Sequence, residues 1–360
     1  MTTAVTHLVG ARPNFVKADP VVRALEQRGV AQRIVHTGQH YDDALSGVFF
    51  RELGLPVPDL NLDVGSGTQA SQTAAIMVGL EPELLAEPPS LLLLYGDVNS
   101  TLAGSLVAAK LQIPIGHVEA GLRSFDRSMP EEVNRVVVDA LADLHFTTSP
   151  EAEGNLTREG VDPTRIHFVG NPMIDTLLRL RERLDPRPQL ARLKLAGKYG
   201  VATIHRPANV DDEFVAGRIS EALETVSGLL PLVIPLHPRG RAALTAGGLG
   251  SNSSIHIIEP LGYIDFLSLV SGARLVITDS GGIQEETTVL GIPCLTVRPN
   301  TERPITISHG TNQLVAPRGL HDAVADVLAG NTLTRGEQSP PLWDGRAGTR
   351  IADIIEQWLV

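Results

Sequence analysis

Three carboxylates in the first half of the chain stand where a parallel sheet would present them to a ligand. Asp97 ends the apolar run LLLLYGD, Glu119 ends IPIGHVE, and Glu131 begins the helical pattern EEVNRVVV. Side chains at the carboxyl ends of parallel strands line the crevice in which ligands bind. Carboxyl groups that are close together there can act as general acids and bases. The pattern therefore indicates proton-transfer chemistry.

Two of these carboxylates also have a simple structural explanation. Asp97 could cap the helix that begins near Ser100, and Glu131, three residues after Ser128, fits a capping box. Taken alone, Asp97 and Glu131 are better explained as helix caps. Glu119 has no capping task in HVEAGLR, so its position favours a functional role.

A second constellation, TDSGGIQEE (278–286), follows a buried apolar run and begins a helix. Helix N-termini bind phosphate through unpaired N–H groups, and glycines let the oxygen atoms approach closely. The Ser-Gly-Gly turn therefore predicts an anion site, and Glu286, one turn further on, is placed to bind ribose hydroxyls. Glu285 is expected to point elsewhere and to be solvated. An ordinary helix entry with surface glutamates is an equal alternative for this stretch in isolation.

Basic residues accompany both constellations and could bind an anionic ligand. Lys17 follows the first strand-to-helix turn, and Arg303 lies on a loop after a strand, within reach of phosphate. Arg135 lies one helical turn after Glu131, within ion-pair reach. His205 ends the first strand of the second half, where a lone histidine is more often a hydrogen-bonded loop residue.

One stretch matches a dinucleotide fingerprint but lies in the wrong place. Residues 65–70 (GSGTQA) fit GxGxxA, yet they follow PDLNLDV rather than the strong strand and first turn where that fingerprint belongs. We interpret them as a loop before a helix, and NAD is not expected. Metal-ligand spacing of His, Asp and Glu is also missing, so neither a metal nor another cofactor is expected.

The elements that must position these residues are short apolar runs that alternate with amphipathic helical segments. Continuously apolar strands are typical of parallel sheets covered by helices on both faces. The pattern restarts after the charged segment 181–197, and both halves open with a strand followed by an Arg-Pro turn. The sequence thus predicts an α/β fold, with two Rossmann-like domains facing a central cleft. Their expected bounds are 1–180, with the acid/base carboxylates, and 181–345, which binds the nucleotide, with a helix at 346–360 returning to the first domain.

Composition narrows the class of protein further. A chain of 360 residues that is 42% hydrophobic can bury two cores. Its formal charge of −11, without a basic block, disfavours nucleic acid as a partner. No apolar stretch approaches membrane-spanning length, so a cytoplasmic protein without a membrane partner is expected. The single cysteine, Cys294 in IPCLTV, is expected to be buried and inert.

Taken together, the motifs resemble the UDP-N-acetylglucosamine 2-epimerase family over nearly the whole chain. The matching stretches are G-ARP-x3-K (10–17), TGQH (37–40), GDVNST (96–101), HVEAGLR (117–123), PEEVNR (130–135), GN (170–171), HRPANVD (205–211), TDSGGIQEE (278–286) and NTERPITISHGTN (300–312). TDSGG-x3-E alone is shared with many nucleotide-sugar glycosyltransferases. The resemblance implies the glycosyltransferase-B architecture, UDP-N-acetylglucosamine and UDP as ligands, and a homodimer.

The resemblance also implies a reaction, the interconversion of UDP-N-acetylglucosamine and UDP-N-acetylmannosamine. Loss of the C2 proton and of UDP would give a 2-acetamidoglucal, and UDP would return as a proton reaches the opposite face of C2. The implied catalytic residues are Asp97, Glu119, Glu131 and His205. The implied substrate-binding residues are Arg12, Lys17, Arg135, Phe266 near uracil, Ser280, Gly281, Gly282, Glu286 on ribose and Arg303.

The chain departs from the family pattern at two turns. Asn14 stands where RPE is usual, and Ala208 stands where HRxEN is usual, and both changes can reshape the sugar pocket. Three alternatives to the epimerase remain at this point. One is the hydrolysing relative, which releases free N-acetylmannosamine and UDP. Another is a glycosyltransferase, against which the first-half carboxylates argue. The third is a noncatalytic nucleotide-sugar sensor, against which the presence of every implied catalytic residue argues.

Regulation by a second substrate molecule is a further question that the motifs raise. Many bacterial members bind a second UDP-N-acetylglucosamine as an activator, through the GQH motif and an Arg-Gln pair. The motif is present as Gln39-His40, but the pair reads Thr68-Gln69. If Thr68 disables this pocket, initial rates should depend hyperbolically on substrate. The pathway served, whether polysaccharide or secondary metabolite, stays open.

Overall fold

The structure, a computed structural model, describes residues 4–38, 52–236, 238–331 and 339–359, apart from the side chains of Arg12, Pro238 and Arg239. Contacts within the chain divide it into two compact units. The first unit comprises Met1–Arg179 and Pro341–Val360, and the second unit comprises Leu180–Pro340. The C-terminal segment therefore belongs to the first unit.

A parallel sheet of seven strands forms the centre of the described part of the first unit. The strands run in the order β3-β2-β1-β4-β5-β6-β7, and neighbouring strands are parallel. Their bounds are β1 Val5–Val9, β2 Gln32–His36, β3 Leu60–Asn61, β4 Leu91–Tyr95, β5 Ile115–Ala120, β6 Leu144–Thr147 and β7 Ile166–Phe168. The early helices are α1 Arg12–Gln27, α2 Gln69–Ala86, α3 Asn99–Leu111, α4 Pro130–Leu141, α5 Pro150–Arg158 and α6 Pro172–Leu180.

The second unit has its own parallel sheet, of six strands in the described ranges, in the order β10-β9-β8-β11-β12-β13. The strands are β8 Gly200–Thr203, β9 Leu232–Pro235, β10 Ile255–Ile258, β11 Leu275–Thr278, β12 Cys294–Thr296 and β13 Asn312–Leu314. The helices are α7 Arg187–Leu193, α8 Pro207–Val210, α9 Glu213–Ser227, α10 Pro238–Ala246, α11 Tyr263–Gly272, α12 Gly281–Leu290, α13 Ile305–Ser308 and α14 Leu320–Ala329. Short 3-10 turns lie at Pro163–Arg165, Arg181–Arg183 and Pro317–Gly319.

The central strands are apolar along their length because helices cover both faces of each sheet. All five residues of β4 and all four of β11 are buried. This confirms the predicted α/β class with two parallel Rossmann-like sheets. Strand order reverses between β1 and β4 in the first sheet and between β8 and β11 in the second. Ligands of such sheets bind beyond the carboxyl ends of the strands at these switch points.

The last helix, α15 Ala347–Trp358, packs against α1 within the first unit. A side chain at Gly348 would lie 2.5 Å from the Pro20 carbonyl oxygen, so only glycine permits this approach. The Gly348 N–H donates to Asp175 over 2.7 Å. Burial raises the pKa of Asp175 to about 6, although hydrogen bonds from the Gly348 and Ala347 N–H groups oppose the rise.

Two further expectations concern single features of the fold. Cys294 in β12 is buried, as predicted, and burial raises the pKa of its thiol to about 11. Such a thiol is protonated at neutral pH and therefore unreactive. None of the helices in the described ranges combines the length and the apolar character that a bilayer-crossing segment needs.

Candidate active site

Glu119 occupies the most constrained backbone position among the candidate residues. Its φ of 74° lies in the left-handed region, which costs a non-glycine residue on the order of 1 kcal/mol or more. The pairing of β5 with β6 shifts register between Val118 and Ala120, which marks a bulge at Glu119. Bulges re-aim side chains and occur next to active sites. The fold therefore maintains a strained residue at the strand end that the sequence singled out.

The Glu119 side chain is only 3% exposed and forms an ion pair with Lys17 of α1. Gly96, between β4 and α3, makes room for this pair. A Cβ at Gly96 would lie 3.0 Å from Lys17 Nζ and 3.1 Å from Glu119 Oε2. The positive φ of Gly96, 66°, also favours glycine. The structure thus joins two predicted site residues that are far apart in sequence.

Asp97 follows Gly96 and forms an ion pair with Arg135 rather than capping α3. The cap of α3 is Val98, without a side-chain hydrogen bond, so capping does not explain Asp97. Arg135, which the sequence places within ion-pair reach of Glu131, contacts Asp97 and Glu132 instead, the latter over 2.7 Å. In a helix, a residue can pair with one three or four positions away, so Arg135 could pair with either Glu132 or Glu131. Glu132 forms the pair, and it lies on the buried face of α4 together with Arg135.

Glu132, which the sequence did not indicate, organises the loop before α4. Its carboxylate accepts hydrogen bonds from the Ser124 N–H and hydroxyl and from the Phe125 N–H, each at 2.9 Å. Burial would raise the pKa of Glu132, but the Ser124 N–H and the Arg135 side chain outweigh burial and lower it. The sequence shows only that Glu131 and Glu132 are adjacent at the start of the helix. Adjacent glutamates do not reveal which of the two carboxylates faces the interior.

Glu131 is half-buried, and its carboxylate has no hydrogen-bond or ion-pair partner within the described part of the chain. The capping-box explanation does not apply, because Met129 is the N-cap of α4 and Ser128 bonds to Asp126. Glu131 therefore differs from Asp97 and Glu119, which are both ion-paired. We call Lys17, Asp97, Glu119, Glu131 and Arg135 the carboxylate site.

A buried network behind the carboxylate site involves both ends of the HVEAGLR motif. His117 Nδ1 bonds to Asp139 over 2.6 Å, and its Nε2 bonds to the Gly96 carbonyl over 2.8 Å. Burial would raise the pKa of Asp139, but His117 and then Arg123, at 2.7 Å, lower it to about 2. Since the Gly96 carbonyl is fixed in this way, the network holds the peptide that leads into Asp97.

Asn14, the first departure from the family pattern, is 1% exposed and supports the opening turn of α1. Its side-chain oxygen accepts from the N–H groups of Gly10 and Ala11, both at 3.0 Å. Its amide donates to the Tyr95 carbonyl at the end of β4 over 2.7 Å. A glutamate could make the first two bonds but could not donate the third. Asn14 thereby ties α1, and with it Lys17, to β4.

In the second unit, the Ser-Gly-Gly turn lies at the start of α12, as predicted. Ser280 is the N-cap and makes no side-chain cap bond. In the described ranges, no hydrogen bond occupies the N–H groups of Gly281 and Gly282. A Cβ at Gly281 would overlap Arg303 Nη1 and lie 2.8 Å from Glu302 Oε1. Glycine is therefore what allows a guanidinium to lie against this helix N-terminus.

The prediction that Glu285 is solvated is wrong. Glu285 is 1% exposed, and its Oε2 lies 3.0 Å from Arg303 Nε. Contacts of the neighbouring Gln284 explain why Glu285 is buried. The Gln284 side-chain oxygen accepts hydrogen bonds from Thr301 over 2.7 Å and from Asn312 over 2.9 Å. The loop before α13 therefore packs over the outer face of α12. Helical spacing alone could not show that this face is covered.

His205 and Asp279 meet at the ends of β8 and β11. His205 Nδ1 lies 2.9 Å from Asp279, which is buried, while most of the His205 side chain is exposed. Asp279 also accepts from the Arg206 N–H at 2.9 Å and from Asn209 Nδ2 at 3.0 Å. Burial would raise the pKa of Asp279, but the His205 side chain and these donors lower it. We call His205, Asp279, Ser280–Gly282, Glu302 and Arg303 the anion site.

Glu286 is buried one turn into α12 and accepts a hydrogen bond from the Tyr263 hydroxyl at 2.9 Å. Burial raises the pKa of Glu286 to about 8, with the Tyr263 bond opposing the rise and the Glu285 charge adding to it. Tyr263, which the sequence did not indicate, begins α11. Phe266, the residue expected near uracil, lies one turn later on α11, partly buried against the core.

The remaining predicted residues are only partly described. Gln39 and His40 of the activator motif lie outside the described residues, and so does the side chain of Arg12, whose backbone begins α1. Thr68 is the N-cap of α2 and accepts from the Ser71 N–H over 3.3 Å. Gln69 is exposed. The threonine at the position of the family arginine thus has a helix-capping contact.

Comparison with known proteins agrees with this geometry. A family model described as UDP-N-acetylglucosamine 2-epimerase matches residues 23–356. The UDP-N-acetylglucosamine 2-epimerase of Methanocaldococcus jannaschii is 39% identical, with 97% of each chain covered. A structure of that enzyme in complex with UDP-GlcNAc and UDP superimposes with a TM-score of 0.91, covering 98% of this chain and 99% of the other. The UDP-2,3-diacetamido-2,3-dideoxy-D-glucuronate 2-epimerase of Pseudomonas aeruginosa is 40% identical, covering 97% of this chain and 98% of the other.

Proposed function

Because the chain belongs to the UDP-N-acetylglucosamine 2-epimerase family and is an epimerase, we propose that it interconverts UDP-N-acetylglucosamine and UDP-N-acetylmannosamine. The observation that carries the proposal is the buried, strained Glu119, ion-paired with Lys17 beside Asp97. Strain is retained where a side chain must occupy a fixed position. We propose the non-hydrolysing outcome, because the relatives named above are 2-epimerases of UDP-sugars and one of them is solved in complex with UDP-GlcNAc and UDP.

In the proposed reaction, the C2–H bond and the bond from C1 to the UDP oxygen break, and a C1–C2 double bond forms. The proton passes to a carboxylate, and the electron pair of the C1–O bond leaves with UDP. Addition reverses both changes, with the proton delivered to the opposite face of C2. No external oxidant or reductant is needed, because the substrate and product have the same oxidation state.

We assign proton transfer to the carboxylate site. A residue that gives and takes a proton must be able to reach the substrate without breaking another strong contact. Glu131 meets this requirement best, because no described residue binds its carboxylate. Glu119 and Asp97 carry cation partners that can hold their carboxylates in place during the reaction.

We assign the diphosphate to the anion site. The first-turn N–H groups of α12 and the Arg303 guanidinium can stabilise the negative charge that develops as UDP departs. Glu286 is proposed to bind the ribose hydroxyls, and Phe266 to lie near uracil. His205 is proposed to assist at the leaving group from its exposed position beside Asp279.

The proposal is tested by NMR of the purified protein with UDP-N-acetylglucosamine in deuterated water. The expected product is UDP-N-acetylmannosamine with deuterium at C2, because the abstracted proton exchanges with solvent. Free N-acetylmannosamine with UDP would indicate the hydrolysing reaction instead. A parallel sample contains UDP-2,3-diacetamido-2,3-dideoxy-D-glucuronate, the sugar nucleotide in the name of the 40% identical relative. Epimerisation of this compound, with UDP-N-acetylglucosamine unchanged, would overturn the proposed substrate and identify the diacetamido-glucuronate as the substrate instead.

We also propose that the protein forms a homodimer through an apolar face of the first unit. Helices α2, α3 and α4 line a shallow, open groove of 490 Å³, whose walls include Met77, Leu102 and Val133. Val78 on α2 is 74% exposed, and Leu85 on the same helix is also exposed. Exposed apolar patches of this kind mark interaction sites, and a second copy would cover the groove with an equally apolar face. Light scattering after size exclusion should give twice the monomer mass, and a monomer would overturn the proposal.

We further propose that the enzyme acts in the cytoplasm. Support comes from its proposed nucleotide-sugar substrate and from its single cysteine, which is buried and requires no oxidising compartment. Fractionation of expressing cells should recover the protein with cytoplasmic markers. Recovery in a membrane or secreted fraction would contradict this location.

A further inference from the structure

A buried carboxylate at the anion site contacts three guanidinium groups. Glu302 is 2% exposed, and its Oε2 lies 2.7 Å from Arg298 Nη2. Its Oε1 forms an ion pair with Arg303 and lies 3.5 Å from Arg206 Nη2. The sequence motifs assign no site role to Glu302, Arg298 or Arg206.

The three arginines reach this carboxylate from two separate segments. Arg206 is the N-cap of α8, and its Nε donates to the Asp279 carbonyl over 2.9 Å. Arg298 and Arg303 lie on the loop between β12 and α13. Three cations brought together without an anion would repel one another, and long side chains would keep their rotamer freedom. Glu302 offsets both effects at one point for all three arginines, whereas Glu285, 3.0 Å from Arg303 Nε, pairs with Arg303 alone among them.

That point is the first turn of α12. A Cβ at Gly281 would lie 2.8 Å from Glu302 Oε1 and would overlap Arg303 Nη1, so the ion pair lies directly against this residue. Buried ion pairs are weak contributors to stability, because desolvation of the charges offsets their attraction. A cluster of this kind next to a helix N-terminus with available N–H groups is better explained by the positioning of charge for a ligand.

We propose that Glu302 is a positioning residue that holds Arg206, Arg298 and Arg303 around the first turn of α12 for the diphosphate of the substrate. Glu302 does not touch the ligand. It fixes Arg303 before the ligand arrives, so that binding requires little reorganisation of the site. The identity of the ligand as a nucleoside diphosphate rests on the proposed function.

The test compares the binding of UDP and of uridine by calorimetry in the wild-type protein and in Glu302→Gln. Glutamine has the same shape but presents an N–H₂ group to one of the arginines, which accept no hydrogen bonds. We expect UDP to bind roughly 10- to 100-fold more weakly, with uridine affinity unchanged. Glu259→Gln is the matched control, because it removes the exposed pair of Glu259 with Arg241 in the same unit. This control should leave both affinities unchanged.

Two outcomes overturn the positioning role. Glu302→Gln could bind UDP as the wild type does, or it could lose UDP and uridine affinity equally, which would indicate a general structural role. If Glu302→Gln does not fold, Glu302→Asp decides, because it keeps the charge but draws it away from the arginines. Weaker UDP binding by this variant with unchanged uridine binding supports the role, and wild-type UDP affinity overturns it. A wild-type protein that does not bind UDP would overturn the proposed function as well.

Discussion

The second sheet repeats the order of six of the seven strands of the first sheet, yet the side chains at their carboxyl edges are organised in opposite ways. At the carboxylate site, single cations hold the candidate acid/base groups, Lys17 with Glu119 and Arg135 with Asp97. At the anion site, a single carboxylate, Glu302, holds three arginines. The same fold therefore carries paired carboxylates at the site proposed for proton transfer in one unit and clustered arginines at the site proposed for an anion in the other.

The backbone conformation also differs between the carboxylate site and the anion site. Glu119 occupies the left-handed region at a bulge, so its side chain is held in place at the expense of local strain. At the anion site the turn uses glycine, which lets Arg303 and the N–H groups share one small space without strain. Proton transfer needs one side chain in a fixed position, whereas anion binding needs backbone donors and room for them.

The largest expected effect comes from Glu119→Gln, which removes one of the three candidate acid/base carboxylates, and with it the ion pair to Lys17, but keeps the shape of the side chain. We expect epimerisation to fall by at least about 10³-fold, while UDP affinity stays within about twofold, because the anion site is untouched. Coupled assays of turnover and calorimetry with UDP would measure the two quantities. A loss of turnover below about tenfold would remove Glu119 from the proton transfers.

The next largest effect is expected from Gly281→Ala at the other edge. The new methyl group would displace the Arg303 guanidinium, so UDP affinity should fall by roughly 10- to 100-fold. Gly217→Ala, in the interior of α9, is the matched control, because a Cβ there meets no atom within 4 Å. The control should be neutral or slightly stabilising. Equal UDP affinity in the two variants would contradict the close packing at Gly281.

A smaller effect is expected from Asn14→Asp, which tests how the carboxylate site is attached to β4. Aspartate can still accept from the Gly10 and Ala11 N–H groups, but its second oxygen would face the Tyr95 carbonyl. Two buried acceptors in contact should lower the free energy of unfolding by about 1–3 kcal/mol. Urea denaturation would measure this loss, and an unchanged midpoint would show that the Tyr95 bond contributes little.

A further effect concerns Glu286 and appears as a dependence of stability on pH. The folded pKa of about 8 lies above the ordinary value of 4.5. Between these values the unfolded chain releases a proton that the folded chain keeps, so wild-type stability falls as pH rises through this window. Glu286→Gln carries no such proton, and its melting temperature relative to wild type should rise between pH 5 and pH 9. Parallel curves for the two proteins would show that Glu286 titrates normally.

The residues with local signals were the ones that sequence reasoning found. Glu119 was identified because a charge at the end of an apolar strand has few structural explanations, and the structure places it at a bulge beside Lys17. The Ser-Gly-Gly turn was identified because helix N-termini have known composition. In both cases the signal is a short stretch next to the side chain concerned, an apolar strand before Glu119 and a strand-to-helix turn at Ser280. Over so short a distance, the periodicity of the strand or helix determines which way a side chain points.

The residues that were missed or misplaced depend on contacts between distant segments. Glu285 was expected in solvent, but the loop carrying Arg303 covers it. Arg135 lies within ion-pair reach of Glu131 by helical spacing, but it forms its ion pairs with Glu132 and with Asp97, which follows a different strand. His117, Glu302 and Tyr263 had no local signal, because each owes its role to a partner more than 20 residues away or to a buried cluster.

The amino-acid sequence by itself determined the α/β class, the parallel sheets and the strand ends at which polar side chains collect, because hydrophobic periodicity and helix-start chemistry are local properties. Only the tertiary structure decided which charges pair. Pairing depends on which charged side chains are buried next to each other. A buried charge without a partner is costly, so each one pairs with an opposite charge nearby, whatever their separation along the chain. The strain at Glu119 and the three-arginine cluster at Glu302 are both products of that packing.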